Sequence, residues 1–252
     1  MATFFCCNPA HKHYVFIHIP KCAGTSIHDG IKKLCEKHKV TNGHVAKHWS
    51  MNNPGWEGVL YKAPIKNSPH NFPIIISSIR NPWDRMLSYW RFKLKGKNSQ
   101  WEPDFNKWIY QSFHEKKFLE LNKTRFKLSP SNFIGDRPFP YANCVDYLIN
   151  PETQKISATH ILRYENLEED WRKMVLDLKF GRDIRELEPG SNLIKLPHMN
   201  ASTKLSDPTV PPWDPRKKSD KPYQEHYTKE SREIIKTAFR KDIEAFGYTF
   251  DG

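Results

Sequence analysis

The stretch Tyr14-Val-Phe-Ile-His-Ile-Pro-Lys-Cys-Ala-Gly-Thr-Ser26 leaves this chain few ways to fold. An aromatic and β-branched run stops at Pro20. A lysine follows at once, then small residues, a glycine and two hydroxyls. Branched and aromatic side chains favour a pleated strand, and proline and glycine punctuate it. The order predicts a strand, a tight turn and the first turn of a helix. Backbone N–H groups at a helix start, with a lysine and hydroxyls beside them, make a cradle for phosphate or sulfate. A nucleotide loop of the GxxxxGK(S/T) type carries its lysine after the second glycine. Here Lys21 precedes Gly24 and no glycine opens the loop, so ordinary ATP or GTP binding is disfavoured although the geometry is related.

A second segment repeats the theme. Phe72-Pro-Ile-Ile-Ile-Ser-Ser-Ile-Arg80 is a short apolar run of the kind buried in a parallel sheet. It leads into Asn81-Pro-Trp-Asp-Arg-Met-Leu-Ser-Tyr-Trp90, where Asn81 suits a helix N-cap and Pro82 the first helical position. Arg80 then falls at the carboxyl end of its strand, where open α/β sheets bind ligands. Ser88 lies about two turns into the helix. Arg85, three residues before it, is expected to share its face. The arginine fork of donors matches two phosphate oxygens. Two anion sites at strand ends imply a ligand with two separate anionic ends.

The pair IPKCAGTS and RNPWDRMLSYW resembles the two nucleotide signatures of the sulfotransferases. The similarity is to the carbohydrate type, which includes the heparan 2-O-sulfotransferases and the chondroitin and HNK-1 enzymes. Further segments agree in order: Ile161-Leu-Arg-Tyr-Glu-Asn-Leu167, Leu196-Pro-His-Met-Asn-Ala-Ser202 and Asp242-Ile-Glu-Ala-Phe-Gly-Tyr248. The resemblance implies a P-loop-like α/β fold, a mostly parallel central sheet flanked by helices. It implies 3′-phosphoadenosine-5′-phosphosulfate (PAPS) as donor, 3′-phosphoadenosine-5′-phosphate (PAP) as product, and no required metal.

By that resemblance, Lys21 meets the bridging oxygen of the donor. Cys22, Ala23, Gly24, Thr25 and Ser26 hold the 5′-phosphosulfate through backbone N–H groups and hydroxyls. Arg80 and Ser88 take the 3′-phosphate. Thr41-Asn-Gly-His-Val-Ala-Lys-His48 resembles the Gly-His-Val stretch of the 2-O-sulfotransferases, which aligns His44 with their catalytic base. Histidine suits that role because its pKa of about 6.5 leaves it neutral near pH 7. The family's second histidine, two positions earlier, is Asn42 here, and His48 is the alternative for it. Ser202, near His198, Asn200 and Thr203, is placed in a loop that closes over the nucleotide. The acceptor is a sugar hydroxyl or a small-molecule alcohol. The rival readings are a P-loop-like kinase, which would need Mg²⁺ and an acidic ligand for it, and a non-catalytic nucleotide or RNA binder.

Composition sets the outer bounds. The 252 residues fit one α/β domain, 1–252, with 1–13 as a short extension and 204–222, rich in Pro, Lys and Asp, as a flexible surface segment. No apolar run reaches the roughly 18 residues of a membrane span. The amino-terminal residues lack the charged start and apolar stretch of a signal peptide. A cytoplasmic enzyme is expected, or a Golgi-lumenal domain if an anchor has been removed. The net charge of +12 attracts anions. Nucleic acid is not expected as partner, because the charges are scattered and no nucleic-acid-binding motif appears. The five cysteines are sparse and irregularly spaced and predict no disulfide framework. Cys6 and Cys7 near His11 and His13 make no closed zinc pattern.

The expected elements are a strand over 14–19 and a helix to about Lys37. A strand up to Arg80 and its helix come next, then a helical stripe from Trp101 to Leu121 read as core or cleft wall. A loop over 129–141, a strand over 156–163, a helix over 167–178 and a final helix over 228–246 complete the chain. His18 reads as a core histidine, Glu165 as a loop anchor, and Trp83, Trp90 and Trp101 as packing residues that could also stack on a base or sugar.

Overall fold

The computed structural model describes residues 2–7, 12–37, 74–94, 102–115, 133–134, 137–138, 141–150, 153–178, 196 and 221–252. The strands are β1 (Ala2–Cys7), β2 (Lys12–Ile17), β3 (Ile74–Ile79), β4 (Phe133–Ile134), β5 (Arg137–Pro138) and β6 (His160–Arg163). The α-helices are α1 (Gly24–Lys37), α2 (Pro82–Leu94), α3 (Phe105–Ile109), α4 (Leu167–Asp177), α5 (Lys229–Ala238) and α6 (Arg240–Phe246). They fall into two compact units, Met1–Ile79 with Asp146–Met199, and Arg80–Val145 with Asn200–Gly252.

The first unit is built on a sheet in the order β1-β2-β3-β6. β2 pairs parallel with β3, and β3 parallel with β6; β1 joins the edge antiparallel to β2. β1 is a strand in the stretch read from sequence as an extension. In β3 every residue from Ile75 to Ile79 is buried, as expected of a parallel strand covered on both faces. Phe16 and Ile76, partners across the β2–β3 ladder, pack with Leu162 against Ile27, Ile31 and Leu34 of α1 and Trp171, Met174 and Val175 of α4. Burying each such side chain is worth about 1.5–3 kcal/mol. The last strand is shorter than the sequence predicts. Thr159 Oγ1 accepts from Ile75 N (3.1 Å) and donates to Ile75 O (2.9 Å), so a side chain serves β3 where the ladder would begin.

The second unit centres on α2. Trp83, Met86, Leu87 and Trp90 pack with Phe105, Trp108 and Ile109 of α3 and with Ile235 and Phe239. Both tryptophans are core residues whose indole N–H groups are taken, by Arg232 O at 3.0 Å and Glu102 O at 2.9 Å. The Trp101–Leu121 stripe is helical only in part: α3 gives way to a wider π turn over Tyr110–His114. That turn brings Trp108 and Phe113, five residues apart, edge to face at 6.1 Å. The final helix is two. It starts at a Thr228–Ser231 capping box, as the sequence predicts, but breaks at Phe239. There the backbone leaves helical values (φ −111°, ψ 28°) and the ring lies 5.5 Å from Phe113. The 129–141 loop contains a small hairpin of β4 and β5.

Arg85 corrects an expectation. It does not share an outward face with Ser88; it is fully buried and donates to Ala142 O at 2.9 Å. Asp242, 3.9 Å away, explains why a charge is tolerated there. Asp242 also accepts the N–H groups of Cys144 (2.7 Å) and Val145 (2.9 Å). Burial pushes its carboxyl upward, against the pull of Arg85 and those two donors.

Gly30 sets the approach of α1 to α4. A Cβ there would lie 2.8 and 2.9 Å from Trp171 ring carbons. Gly30→Ala is therefore expected to cost about 1–3 kcal/mol by overpacking, read from the urea midpoint; an unchanged midpoint would contradict this packing.

Candidate active site

The loop after β2 has an unusual backbone. Lys21 (φ 67°) and Ala23 (φ 62°) both adopt left-handed backbone, and Cys22 between them does not. For a residue with a side chain that conformation costs about 1–3 kcal/mol. Two such residues in three, at the carboxyl end of a strand, give the alternating handedness that turns successive N–H groups into one concavity. The first helical bond runs from Ile27 N to Ala23 O (3.2 Å), so the N–H groups of Gly24, Thr25 and Ser26 lie ahead of it at the positive end of α1. No acidic side chain occupies the first turn of α1, whereas α4 has three in its own.

Neighbouring residues hold this loop. Ser78 Oγ donates to Cys22 O at 2.5 Å. In a planar trans peptide the next N–H points opposite to that carbonyl, so the bond orients Ala23 N–H away from β3. Ser77 Oγ donates to Ile17 O (2.9 Å), tying the end of β2 in the same way. The Cys22 thiol is buried and donates to Pro20 O (3.6 Å). His18 is half-buried rather than a full core residue; its ring stacks on Phe16 at 6.1 Å and lies where a Cβ on Gly24 would be. Glycine at 24 is thus required by close approach. Lys21 and Ala23 are half-buried, Thr25 is exposed and Ser26 is buried.

In the second unit, Arg80 directly follows β3. Its Nε and one terminal nitrogen both reach Asp84 Oδ2 at 2.7 Å, which fixes the guanidinium plane. Asn81 caps α2: its Oδ1 accepts from Trp83 N (3.2 Å), and its amide donates to Thr249 O (2.8 Å). Ser88, half-buried, follows Asp84 by one turn, and Arg91 follows Ser88 by three residues. Arg91 donates to His226 Nε2 at 3.1 Å. An arginine has only donors, so this imidazole nitrogen is the acceptor. Burial, then Arg91 and Lys221, hold His226 below its ordinary pKa, with Glu225 opposing.

His44, Ser202, His48, His198, Asn200, Thr203 and Trp101 lie outside the described residues. Glu165 is exposed in the short turn Tyr164–Asn166; the backbone at that corner is held by Asp170, which accepts from Arg163 N at 2.8 Å. Sequence reasoning missed Ser78, Asp84, Arg91 and His226. A pair of serines interrupting an apolar strand was the available signal for Ser78; nothing in the sequence joins residue 91 to residue 226.

The Sulfotransferase family matches residues 5–249, and the chain belongs to that family. Sulfuryl transfer is therefore its class of reaction. No curated protein and no solved structure matches it significantly. Among the described residues no helix is long and apolar enough to cross a membrane.

Two outcomes follow from these contacts. Ser78→Ala removes its hydrogen bond to the buried Cys22 carbonyl, a loss of about 0.5–1.5 kcal/mol; denaturation of the variant measures it, and an unchanged stability would show the bond to be dispensable. A histidine with a lowered folded pKa leaves the fold at full stability above its unfolded value of about 6.5 and weakens it as pH falls toward the folded value. His226→Gln is expected to flatten the decline in urea midpoint between about pH 7 and pH 5. Equal slopes in variant and wild type would contradict this.

Proposed function

We propose that the chain transfers the sulfuryl group of PAPS to a hydroxyl of a sugar or small-molecule alcohol. The observation that carries the donor assignment is the left-handed pair Lys21 and Ala23 ahead of α1, a cradle suited to the 5′-phosphosulfate end. Arg80, held in plane by Asp84, and Ser88 suit a separate phosphate monoester, which is the other end of the same nucleotide.

The reaction is an in-line displacement. The acceptor oxygen bonds to sulfur as the bond from sulfur to the bridging phosphate oxygen breaks. Negative charge grows on that leaving oxygen, and PAP departs. Positioning and electrostatics dominate such transfers, as they do for phosphoryl groups. Lys21 acts where charge develops, so its contribution is larger in the transition state than in the ground state. The backbone N–H groups before Ile27 hold the non-bridging oxygens. His44 is our assignment for the group that takes the acceptor proton, with His48 as the alternative.

Lys21→Ala is expected to lower turnover of radiolabelled PAPS, in an acceptor screen, by about 10²–10³-fold with PAP affinity changed only slightly. Equal losses in both would reduce Lys21 to a binding residue. PAP is also expected to raise the melting temperature of the chain; stabilisation by ATP–Mg²⁺ alone would overturn the donor reading in favour of a kinase.

A further inference from the structure

We propose that Arg91, held by His226, is a third ligand for the anion that Arg80 and Ser88 take, and that it selects for a nucleotide carrying a 3′-phosphate. This rests on the nucleotide reading above. Asp84, Ser88 and Arg91 form one stripe of the helix, one turn to the next, and Arg80, just ahead of the helix, is tied to it by Asp84. Arg85, which points into the core, is off that stripe.

Charge decides the argument. Arg91 is partly buried, and a guanidinium withdrawn from water needs a counter-charge or a full set of acceptors. Its hydrogen-bonding contact is a neutral imidazole. Its Nε is buried with no hydrogen-bond partner among the described residues. The nearby carboxylate, Asp84, already takes two nitrogens of Arg80 on one oxygen. Burial lowers the Arg91 pKa, Asp84 works against that, and Arg80 adds to it by repulsion. The other charged neighbours of His226, Lys221 and Glu225, are paired with each other at 3.2 Å. Asp84 is thus the carboxylate that both Arg80 and Arg91 feel. A phosphate beside Ser88 would offset the charge of the two arginines and supply acceptor oxygens to the Arg91 fork.

His226 is a positioning residue. Its own place is fixed from two sides. Asn106 Nδ2 donates to His226 O (3.1 Å), and the Tyr227 hydroxyl donates to Trp83 O (2.8 Å). Its Nε2 then holds one terminal nitrogen of Arg91 and leaves the other terminal nitrogen to be met by a ligand.

Calorimetric titration of the full chain with PAP and with adenosine 5′-phosphate tests this. Arg91→Met is expected to weaken PAP by about 10–100-fold, the range of a charge-assisted contact, and adenosine 5′-phosphate by less than about 2-fold. Arg91→Lys, which keeps the charge, is expected to recover part of the loss and serves if the methionine variant folds poorly. His226→Leu is expected to cost selectivity that His226→Gln, whose amide oxygen can accept, restores. Arg80→Met is the reference. Loss of selectivity in Arg80→Met but not in Arg91→Met would overturn this proposal alone. Equal affinity of wild type for both nucleotides would overturn the nucleotide reading and this proposal with it.

Discussion

The hydrogen bond from Ser78 to the Cys22 carbonyl is the contact that ties the loop after β2 to the neighbouring strand, and the proposed donor site rests on it. β2 and β3 run parallel, so their carboxyl ends lie at the same edge of the sheet. A loop that leaves that edge in left-handed backbone would relax to ordinary dihedrals without a restraint. Ser78 supplies it from the neighbouring strand, and the His18 ring closes over Gly24 from β2's own end. Strain, restraint and close packing are concentrated in about six residues. The rest of the unit is an apolar core, with Phe16 and Trp171 among its aliphatic side chains, that holds β2, β3 and β6 against α1 and α4.

The second unit separates structure from ligand by helical rotation. Successive faces of α2 carry different duties: Trp83, Met86, Leu87 and Trp90 fill the core, Arg85 is held by Ala142 and Asp242, and Asp84, Ser88 and Arg91 form a polar stripe to which Asp84 ties Arg80. Two arginines five residues apart are therefore placed differently. Arg85 is a buried brace paired with a carboxylate, and Arg80 is oriented by a carboxylate just ahead of the helix.

Much of this was legible in the chain because it is written in local residue order. Pro20, Lys21 and Gly24 mark the strand-to-helix turn, and Asn81 and Pro82 mark the start of α2; both elements form there. The β3 strand was legible because five apolar or small residues in a row have no other sensible place. What failed was whatever depends on tertiary partners. Arg85 and Ser88 have helical spacing that suits a shared face, but spacing cannot report that Asp242, far along the chain, draws Arg85 inward. The break at Phe239 and the π turn at Tyr110 follow from seating aromatic rings in one core, which periodicity does not encode. Thr159 adds to its backbone bond with Ile75 two side-chain bonds that no propensity scale counts. Arg91 and His226 meet across 135 residues of sequence.

The central proposal is that this chain takes as donor a nucleotide with two chemically different anionic ends. A crystal structure of the chain with PAP bound tests it most directly. The account predicts the 5′-phosphate against Lys21 and the N–H groups at the start of α1, and the 3′-phosphate against Arg80 and Ser88. A nucleotide held by other residues, or one whose 3′-phosphate points into solvent, would contradict it.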